Sequence, residues 1–190
     1  MSATSDQSAV ANAIGQAIHE DVVQPHENHD QPARIIAIAI DPSRNSEYAF
    51  DWAIKNIVRP EDGDQIVLIN VRPVVSMPIV YEPVFVDFSK ETEAIEAANR
   101  EASHELLQSY AAKLPAHKYN IRGVALRGDP RDEIAAKVAE LKVDMLVIGS
   151  RGLGGFQRAL LGSVSDYLVH HLNVPVIVSR PPEVEPKKVA

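Results

Sequence analysis

The sequence predicts a doubly wound α/β fold, in which a parallel sheet of five strands carries helices on both faces. Four short runs are rich in Ile and Val throughout, without alternating polar residues, which is typical of strands buried on both faces. These runs cover residues 35–40, 66–71, 145–148 and 174–178, and a weaker fifth run covers residues 119–126. Helical segments are predicted between the strands and after the fourth, at residues 47–58, 92–114, 131–141 and 163–172.

The alternation of strands and helices also predicts where a ligand binds. Right-handed crossovers between parallel strands give a sheet whose strand order reverses once. Ligands of such sheets lie at that reversal, outside the carboxyl ends of the strands. The loops that follow the strands are therefore the expected site.

Two of the predicted helix starts carry capping signals. Asp129 precedes Pro130, which predicts an N-cap followed by a proline at the first helical position. Asp132 and Glu133 then fall in the positive first turn of that helix. Ser163 follows a glycine and is predicted to cap the last helix in the same way.

Length and composition limit the classes of function. A chain of 190 residues suits one well-buried domain, which we place at residues 33–180, after a flexible leader at 1–32 and before a C-terminal tail at 181–190. The formal charge of −7 disfavours nucleic acid and anionic membranes as partners. The lack of cysteine excludes disulfides and thiolate metal sites. We expect a soluble protein of the cytoplasm.

The segment after the fourth strand has a composition suited to polyphosphate binding. Residues 149–155 contain four glycines, whose backbone N–H groups are accessible, and a helix starting near Ser163 adds partial positive charge. Arg151 and Arg158 would neutralise phosphate charge, while the hydroxyls of Ser163 and Ser165 would donate hydrogen bonds. The same glycines would also serve merely to turn the chain, so the loop alone leaves both interpretations open.

Motifs of other enzyme classes are missing from the sequence. It contains no G-x-x-x-x-G-K-[ST] phosphate loop, and the turn at residues 41–46 has no glycine for a dinucleotide fingerprint. It also lacks the G-x-S-x-G and H-E-x-x-H motifs of hydrolases and zinc proteases. His170 and His171 are adjacent on a predicted helix, so their side chains diverge by about 100° and are unsuited to sharing a metal ion.

The spacing of the glycines favours the nucleotide interpretation. Gly149, two residues, Gly152, nine residues, then Gly162 and Ser163 is similar, without gaps, to the nucleotide motif of ATP-binding universal stress proteins. The resemblance continues at residues 40–43, 70–71, 127–130, 144 and 174–176 and spans about residues 34–179. It implies a Rossmann-like fold of the adenine nucleotide alpha hydrolase type, with strand order 3-2-1-4-5. One departure is Asn70, at a position that is often His in the family.

The resemblance also implies a set of nucleotide-binding positions. The adenosine would be bordered by Ala39, Ile40 and Asp41, and adenine would contact the backbone of Val71. The ribose and phosphates would be wrapped by Gly149, Ser150, Arg151, Gly152, Leu153 and Gly154. The triphosphate end would be held by Gly162, Ser163, Val164 and Ser165, with Gly128 lining the same cleft. The implied cofactor is ATP, with Mg²⁺ or Mn²⁺ held mainly by phosphate oxygens and water.

The implied function is that of a stress-response or signalling protein whose bound nucleotide changes its surface and its partners. Little or no turnover is expected, because no general base is evident near a phosphate-attacking water. One alternative is a slow ATPase or nucleotide-dependent transferase with Asp41 as base and Arg151 as charge stabiliser. Another is a nucleotide-free dimeric interaction module. Asp41 would suit either a ligand contact or, with Ser43, a cap of the first helix.

The resemblance further implies a homodimer formed through the last strand. Residues 174–178 would be an edge strand, and pairing antiparallel with a second copy would cover its exposed hydrogen-bonding groups.

Overall fold

A six-stranded sheet forms the centre of the computed structural model, which describes residues 20–22, 33–74, 89–150 and 161–182. The strands are β1 (Glu20–Val22), β2 (Ile35–Ala39), β3 (Gln65–Arg72), β4 (Asn120–Arg127), β5 (Met145–Gly149) and β6 (Val176–Ser179). The α-helices in these ranges are α1 (Arg44–Asn56), α2 (Ser89–Ala111), α3 (Pro130–Glu140) and α4 (Ser163–His171). A short 3-10 helix covers Pro60–Asp62.

The predicted fold class is confirmed. Strands β2 to β6 are parallel, and the sheet order is β1-β4-β3-β2-β5-β6. Numbered among themselves, the five parallel strands have the order 3-2-1-4-5. The order reverses at β2, which lies between β3 and β5, so the carboxyl end of β2 is the expected binding position.

Strand β1 was not predicted from the sequence. It pairs antiparallel with β4, with Glu20 opposite Ala125 and Val22 opposite Gly123. Three residues with the sequence Glu-Asp-Val carry no run of strand-forming residues, so hydrophobic patterning has nothing to detect. The strand lies inside the segment 1–32 that was predicted to be a flexible leader, and the rest of that leader lies outside the described residues, apart from these three positions.

Alternate residues of the central strands belong to two separate cores, which explains their continuous apolar sequences. On one face Ile38 and Leu68 pack with Phe50 of α1 and Leu107 of α2. On the other face Val67, Leu146 and other strand residues pack with Ile134 and Val138 of α3 and Leu168 of α4. Both faces of the sheet are thus covered by helices.

The start of α3 agrees with its prediction. Asp129 is the N-cap, its Oδ1 accepts a hydrogen bond from the backbone N of Arg131 at 2.9 Å, and Pro130 is the first helical residue. Hydrogen bonds from the Arg131 side chain and backbone lower the pKa of the Asp129 carboxyl to about 2. The negative cap therefore remains charged at the positive end of the helix across the physiological pH range.

The predicted cap of α4 is wrong by one residue. Gly162 is the N-cap, and Ser163 is the first helical residue, with an exposed side chain. The capping hydroxyl comes from Ser165, whose Oγ accepts a hydrogen bond from the backbone N of Gly162 at 3.1 Å. A serine at the third helical position thus satisfies the backbone N–H of the cap, which is one half of a capping box.

An ion pair between half-exposed Arg34 and buried Asp64 ties the amino ends of β2 and β3 together. The carboxylate of Asp64, whose side chain is fully buried, accepts hydrogen bonds from Arg34 Nε at 2.9 Å and Nη2 at 2.6 Å. It also accepts one from the backbone N of Arg59 at 2.7 Å. This cluster lies at the end of the sheet opposite to the expected ligand site.

Candidate functional site

A cleft of about 1060 Å³ lies at the carboxyl ends of the strands where the sheet order reverses. Nine of the predicted nucleotide-binding residues line it: Ala39, Ile40, Asp41, Val71, Gly149, Gly162, Ser163, Val164 and Ser165. Gly128 and Ser150 lie beside the cleft without lining it. Arg151, Gly152, Leu153 and Gly154 lie outside the described residues. The contacts of all these positions with a nucleotide remain predictions.

The floor of the cleft exposes a backbone edge of β3. Strand β2 ends at Ala39, and the last ladder contact is the hydrogen bond from Ile40 N to Ile69 O at 2.8 Å. The carbonyl of Arg72 points away from β2 and toward the end of β4, because it accepts a hydrogen bond from Gly128 N at 3.0 Å. Since successive residues of a strand direct their polar groups to opposite sides, Val71 directs its N–H and C=O toward the space beyond the end of β2. This places a donor and an acceptor side by side.

Asp41 stabilises the turn that leads into α1. Its Oδ1 accepts hydrogen bonds from the backbone N of Ser43 at 3.2 Å and from the Ser43 hydroxyl at 2.5 Å. Ser43 is the N-cap of α1, and its Oγ accepts from Ser46 N at 3.2 Å. Asp41 therefore supports the cap of α1 together with Ser43, which is one of the two roles that the sequence suggested. Within the described residues Oδ2 of Asp41 accepts no hydrogen bond, and the residue lines the cleft, so a ligand contact is compatible with the cap.

The amino end of α4 directs backbone donors into the cleft. The first helical hydrogen bond is from Asp166 N to Gly162 O at 2.9 Å, so the N–H groups of Ser163 and Val164 have no partner within the helix. Gly162 N donates to Ser150 O at 2.7 Å, which ties the helix start to the end of β5. Together with the helix dipole, these donors make a site suited to an anion.

The hydroxyl of Ser165, predicted to bind phosphate, has a structural role in the protein. Ser165 is buried, and its Oγ lies 3.2 Å from Ser150 O and 3.0 Å from Gly162 O, in addition to its contact with Gly162 N. Its one hydroxyl proton is therefore engaged with a backbone carbonyl. The exposed hydroxyl of Ser163 is better placed to donate to a ligand.

One wall of the cleft was missed by the sequence analysis. Helix α2 contributes Asn99, Ala102, Ser103, Glu105, Leu106 and Ser109. A signal was present: Ser103, Leu107 and Tyr110 form a buried stripe at helical spacing, and a serine in an otherwise apolar stripe indicates a buried hydrogen bond. Helix α3, which packs on the other face of the sheet, adds Pro130 and Ile134 to the lining of the cleft.

The described lining of the cleft contains two carboxylates, Asp41 and Glu105. In the described ranges no cluster of three or more His, Asp or Glu side chains is arranged to hold a metal ion. A divalent cation at this site would therefore take most of its ligands from a bound phosphate chain and from water. None of the helices in these ranges has the length and apolar character needed to cross a membrane.

The model of a known protein family, described as "Universal stress protein family", matches residues 32–180. This chain belongs to the universal stress protein family. A universal stress protein A-like protein from Arabidopsis thaliana is 31% identical over 144 residues, which cover 72% of this chain and 79% of that relative. Membership identifies the chain as a stress-response protein of this family.

Solved structures of other universal stress proteins share the fold. A family member from Arabidopsis thaliana with AMP bound has a TM-score of 0.55 and 24% identity, and the match covers 78% of this chain and 92% of that one. A universal stress protein in complex with cAMP has a TM-score of 0.51 and 20% identity, with coverage of 79% and 98%. These likenesses support the doubly wound arrangement described above.

Proposed function

We propose that this universal stress protein binds ATP in the cleft and acts as a nucleotide-dependent switch with little or no turnover. The observation that carries the proposal is the pairing of two features in one cleft at the sheet reversal. The backbone edge of Val71 suits a heterocyclic base, and the amino end of α4 suits phosphate. The AMP and cAMP bound to structural neighbours support an adenine nucleotide as the ligand class.

The adenosine half of the ligand would occupy the space between β2 and β3. Adenine presents a ring nitrogen acceptor beside an amino donor, which complements the adjacent N–H and C=O of Val71. Asp41 Oδ2 would accept a hydrogen bond from a ribose hydroxyl, while Oδ1 keeps the turn in place. Ala39 and Ile40 would contact the base or sugar at the end of β2.

The phosphate half would extend toward α4. The backbone donors of Ser163 and Val164 would bind the distal phosphates, with Mg²⁺ or Mn²⁺ carried on the phosphate oxygens. Glycines 149, 152 and 154 would let the backbone of the intervening loop approach the ligand.

Low turnover follows from the positions of the acidic groups. The two carboxylates of the described lining lie on the adenosine side of the cleft, at Asp41, and on α2, at Glu105. Neither belongs to α4, where the distal phosphates are proposed to bind. With no base among the described residues near these phosphates to position the attacking water, hydrolysis would depend on charge stabilisation alone and would be slow.

Calorimetric titration of nucleotide-stripped protein with Mg-ATP tests the proposed function. We expect saturable binding near one ATP per chain in the wild type. A Gly152→Val variant should lose this binding, because a branched side chain would obstruct the approach of the loop backbone to phosphate. Absence of binding in both proteins would refute the proposal and favour the nucleotide-free interaction module.

We further propose that β6 forms a homodimer with a second copy. In the described structure β6 has a strand neighbour only at β5, and Val176, Ile177 and Val178 are half-buried. Hydrogen bonds from Leu146 N to Pro175 O and from Ser150 N to Ser179 O show that the odd-numbered residues of this stretch face β5. The N–H of Val176 therefore points to the outer edge, where a second strand would pair.

A Val176→Pro substitution should leave the protein monomeric. Proline removes an outward N–H and keeps the hydrogen bonds to β5, so the monomer should remain folded. Sedimentation velocity measures the change, and Val176→Thr, which keeps the N–H, should remain a dimer. A proline variant that dimerises as tightly as the wild type would exclude this interface.

A further inference from the structure

The peptide unit between Ile40 and Asp41 is held by side chains at both of its polar atoms. The carbonyl oxygen of Ile40 accepts a hydrogen bond from Asn70 Nδ2 at 2.8 Å. The N–H of Asp41 donates to Ser46 Oγ at 2.9 Å. This is the first peptide unit beyond the hydrogen-bonded part of β2, because Ile40 N still bonds to β3. Its orientation is therefore set by side chains and not by the sheet.

The hydrogen bonds from Asn70 and to Ser46 together form a clamp on this peptide unit. On the Asn70 side the clamp continues into α2. The hydroxyl of Ser103 donates to Asn70 Oδ1 at 2.6 Å. Asn70 is 7% exposed and Ser103 is 4% exposed, so both bonds are shielded from water. A buried amide that both donates and accepts in this way is fixed in one orientation, since reversing it would place its oxygen against the carbonyl oxygen of Ile40.

The clamp lies next to the groups that are proposed to contact adenosine. Rotation of the peptide unit would turn the backbone of Asp41 and, with it, the carboxylate that faces the cleft. Loss of the Asn70 donor would leave the Ile40 carbonyl buried without that bond, which favours reorganisation of the turn. Holding the turn in its binding conformation before the ligand arrives removes an ordering cost from binding.

We infer that Asn70 and Ser103 are positioning residues for the adenosine end of the cleft, acting through the Ile40–Asp41 peptide unit. The inference rests on the proposed function, because it concerns affinity for an adenine nucleotide. It assigns Asn70 a role that needs no contact with the ligand. It also makes α2, through Ser103, part of the support of the binding site.

Two substitutions remove one link each. Asn70→Asp keeps the size and the acceptor toward Ser103 but replaces the donor to Ile40 O with an oxygen, and we expect affinity to fall by about tenfold or more. Ser103→Ala removes only the bond that fixes the amide, and we expect a loss of about threefold to tenfold. Both losses should be equal for ATP and AMP, since the clamp acts on the adenosine end.

A conservative variant and a stability control separate positioning from general damage to the fold. Neutral histidine offers one donor and one acceptor nitrogen, so Asn70→His should bind within about threefold of the wild type. Asp64→Asn weakens the ion pair at the opposite end of the sheet, so it should lower the Tm while leaving nucleotide affinity unchanged.

The experiment is calorimetric titration with Mg-ATP and with AMP, alongside a Tm for each variant. The expected pattern is weak binding by Asn70→Asp and Ser103→Ala, recovery by Asn70→His, and wild-type affinity in Asp64→Asn. Wild-type affinity in the first two variants would overturn the inference. So would an equal loss of affinity in Asp64→Asn at the same loss of Tm. A wild-type protein that binds neither nucleotide would refute the proposed function itself, and this inference with it.

Discussion

Replacing Ser163 with glutamate is expected to weaken ATP binding by about a hundredfold, the cost of placing a carboxylate beside phosphate at the amino end of α4. Ser163 is the first helical residue, lines the cleft and has an exposed side chain. A negative charge at this position interacts favourably with the helix dipole, so the Tm should match or exceed that of the wild type. Binding and stability would thus change in opposite directions, and calorimetry with thermal unfolding measures both.

The nucleotide dependence of this loss identifies which part of the ligand is affected. If the distal phosphates lie at α4, the loss for AMP should be smaller, about tenfold at most. Asn173→Glu is the matched control, because it makes the same change of net charge at an exposed residue beyond the other end of α4. Equal losses for ATP and AMP, or an equal loss in the control, would contradict phosphate binding at this helix.

The sheet could be predicted from the sequence because its physical cause is local. Strands buried on both faces are apolar at every position, and the runs near Ile38 and Leu146 are recognisable for this reason. The N-cap at Asp129 was predicted correctly because the cap, the following proline and the acidic first turn are adjacent in sequence. The order of the strands came from the resemblance of the glycine spacing to a known family, and not from hydrophobic patterning.

The parts that were missed depend on contacts between distant segments. Strand β1 exists through pairing with β4, and its three residues carry no strand signal of their own. The hydrogen bond between Ser103 and Asn70 joins residues 33 positions apart, so each residue alone reads only as a polar residue in an apolar context. The cap of α4 was misassigned for a local reason, because the sequence does not show that the helical backbone begins at Ser163, one residue after the N-cap Gly162.

Gly149 links the fold to the site through a close approach of two backbones. A β-carbon at this position would lie 2.8 Å from the carbonyl carbon of Asn45 and 3.0 Å from the backbone N of Ser46. These atoms belong to the first turn of α1, which has no flexible side-chain end that could move aside. Only glycine lets the end of β5 pack directly against the start of this helix.

A Gly149→Ala substitution should therefore destabilise the protein by about 3 kcal/mol, since the added methyl group must displace backbone. For a chain of this size the Tm should fall by about 6–12 °C. Ser150→Ala is the neighbouring comparison: in the described structure the buried Ser150 hydroxyl has no hydrogen-bond partner, so its removal should change stability by about 0.5 kcal/mol or less.

The Gly149→Ala substitution should also weaken ATP binding, even at temperatures where the variant is fully folded. Any displacement of α1 moves Ser46, whose hydroxyl accepts the hydrogen bond from the Asp41 N–H. Wild-type affinity in the folded variant would show that the start of α1 does not contribute to the nucleotide site.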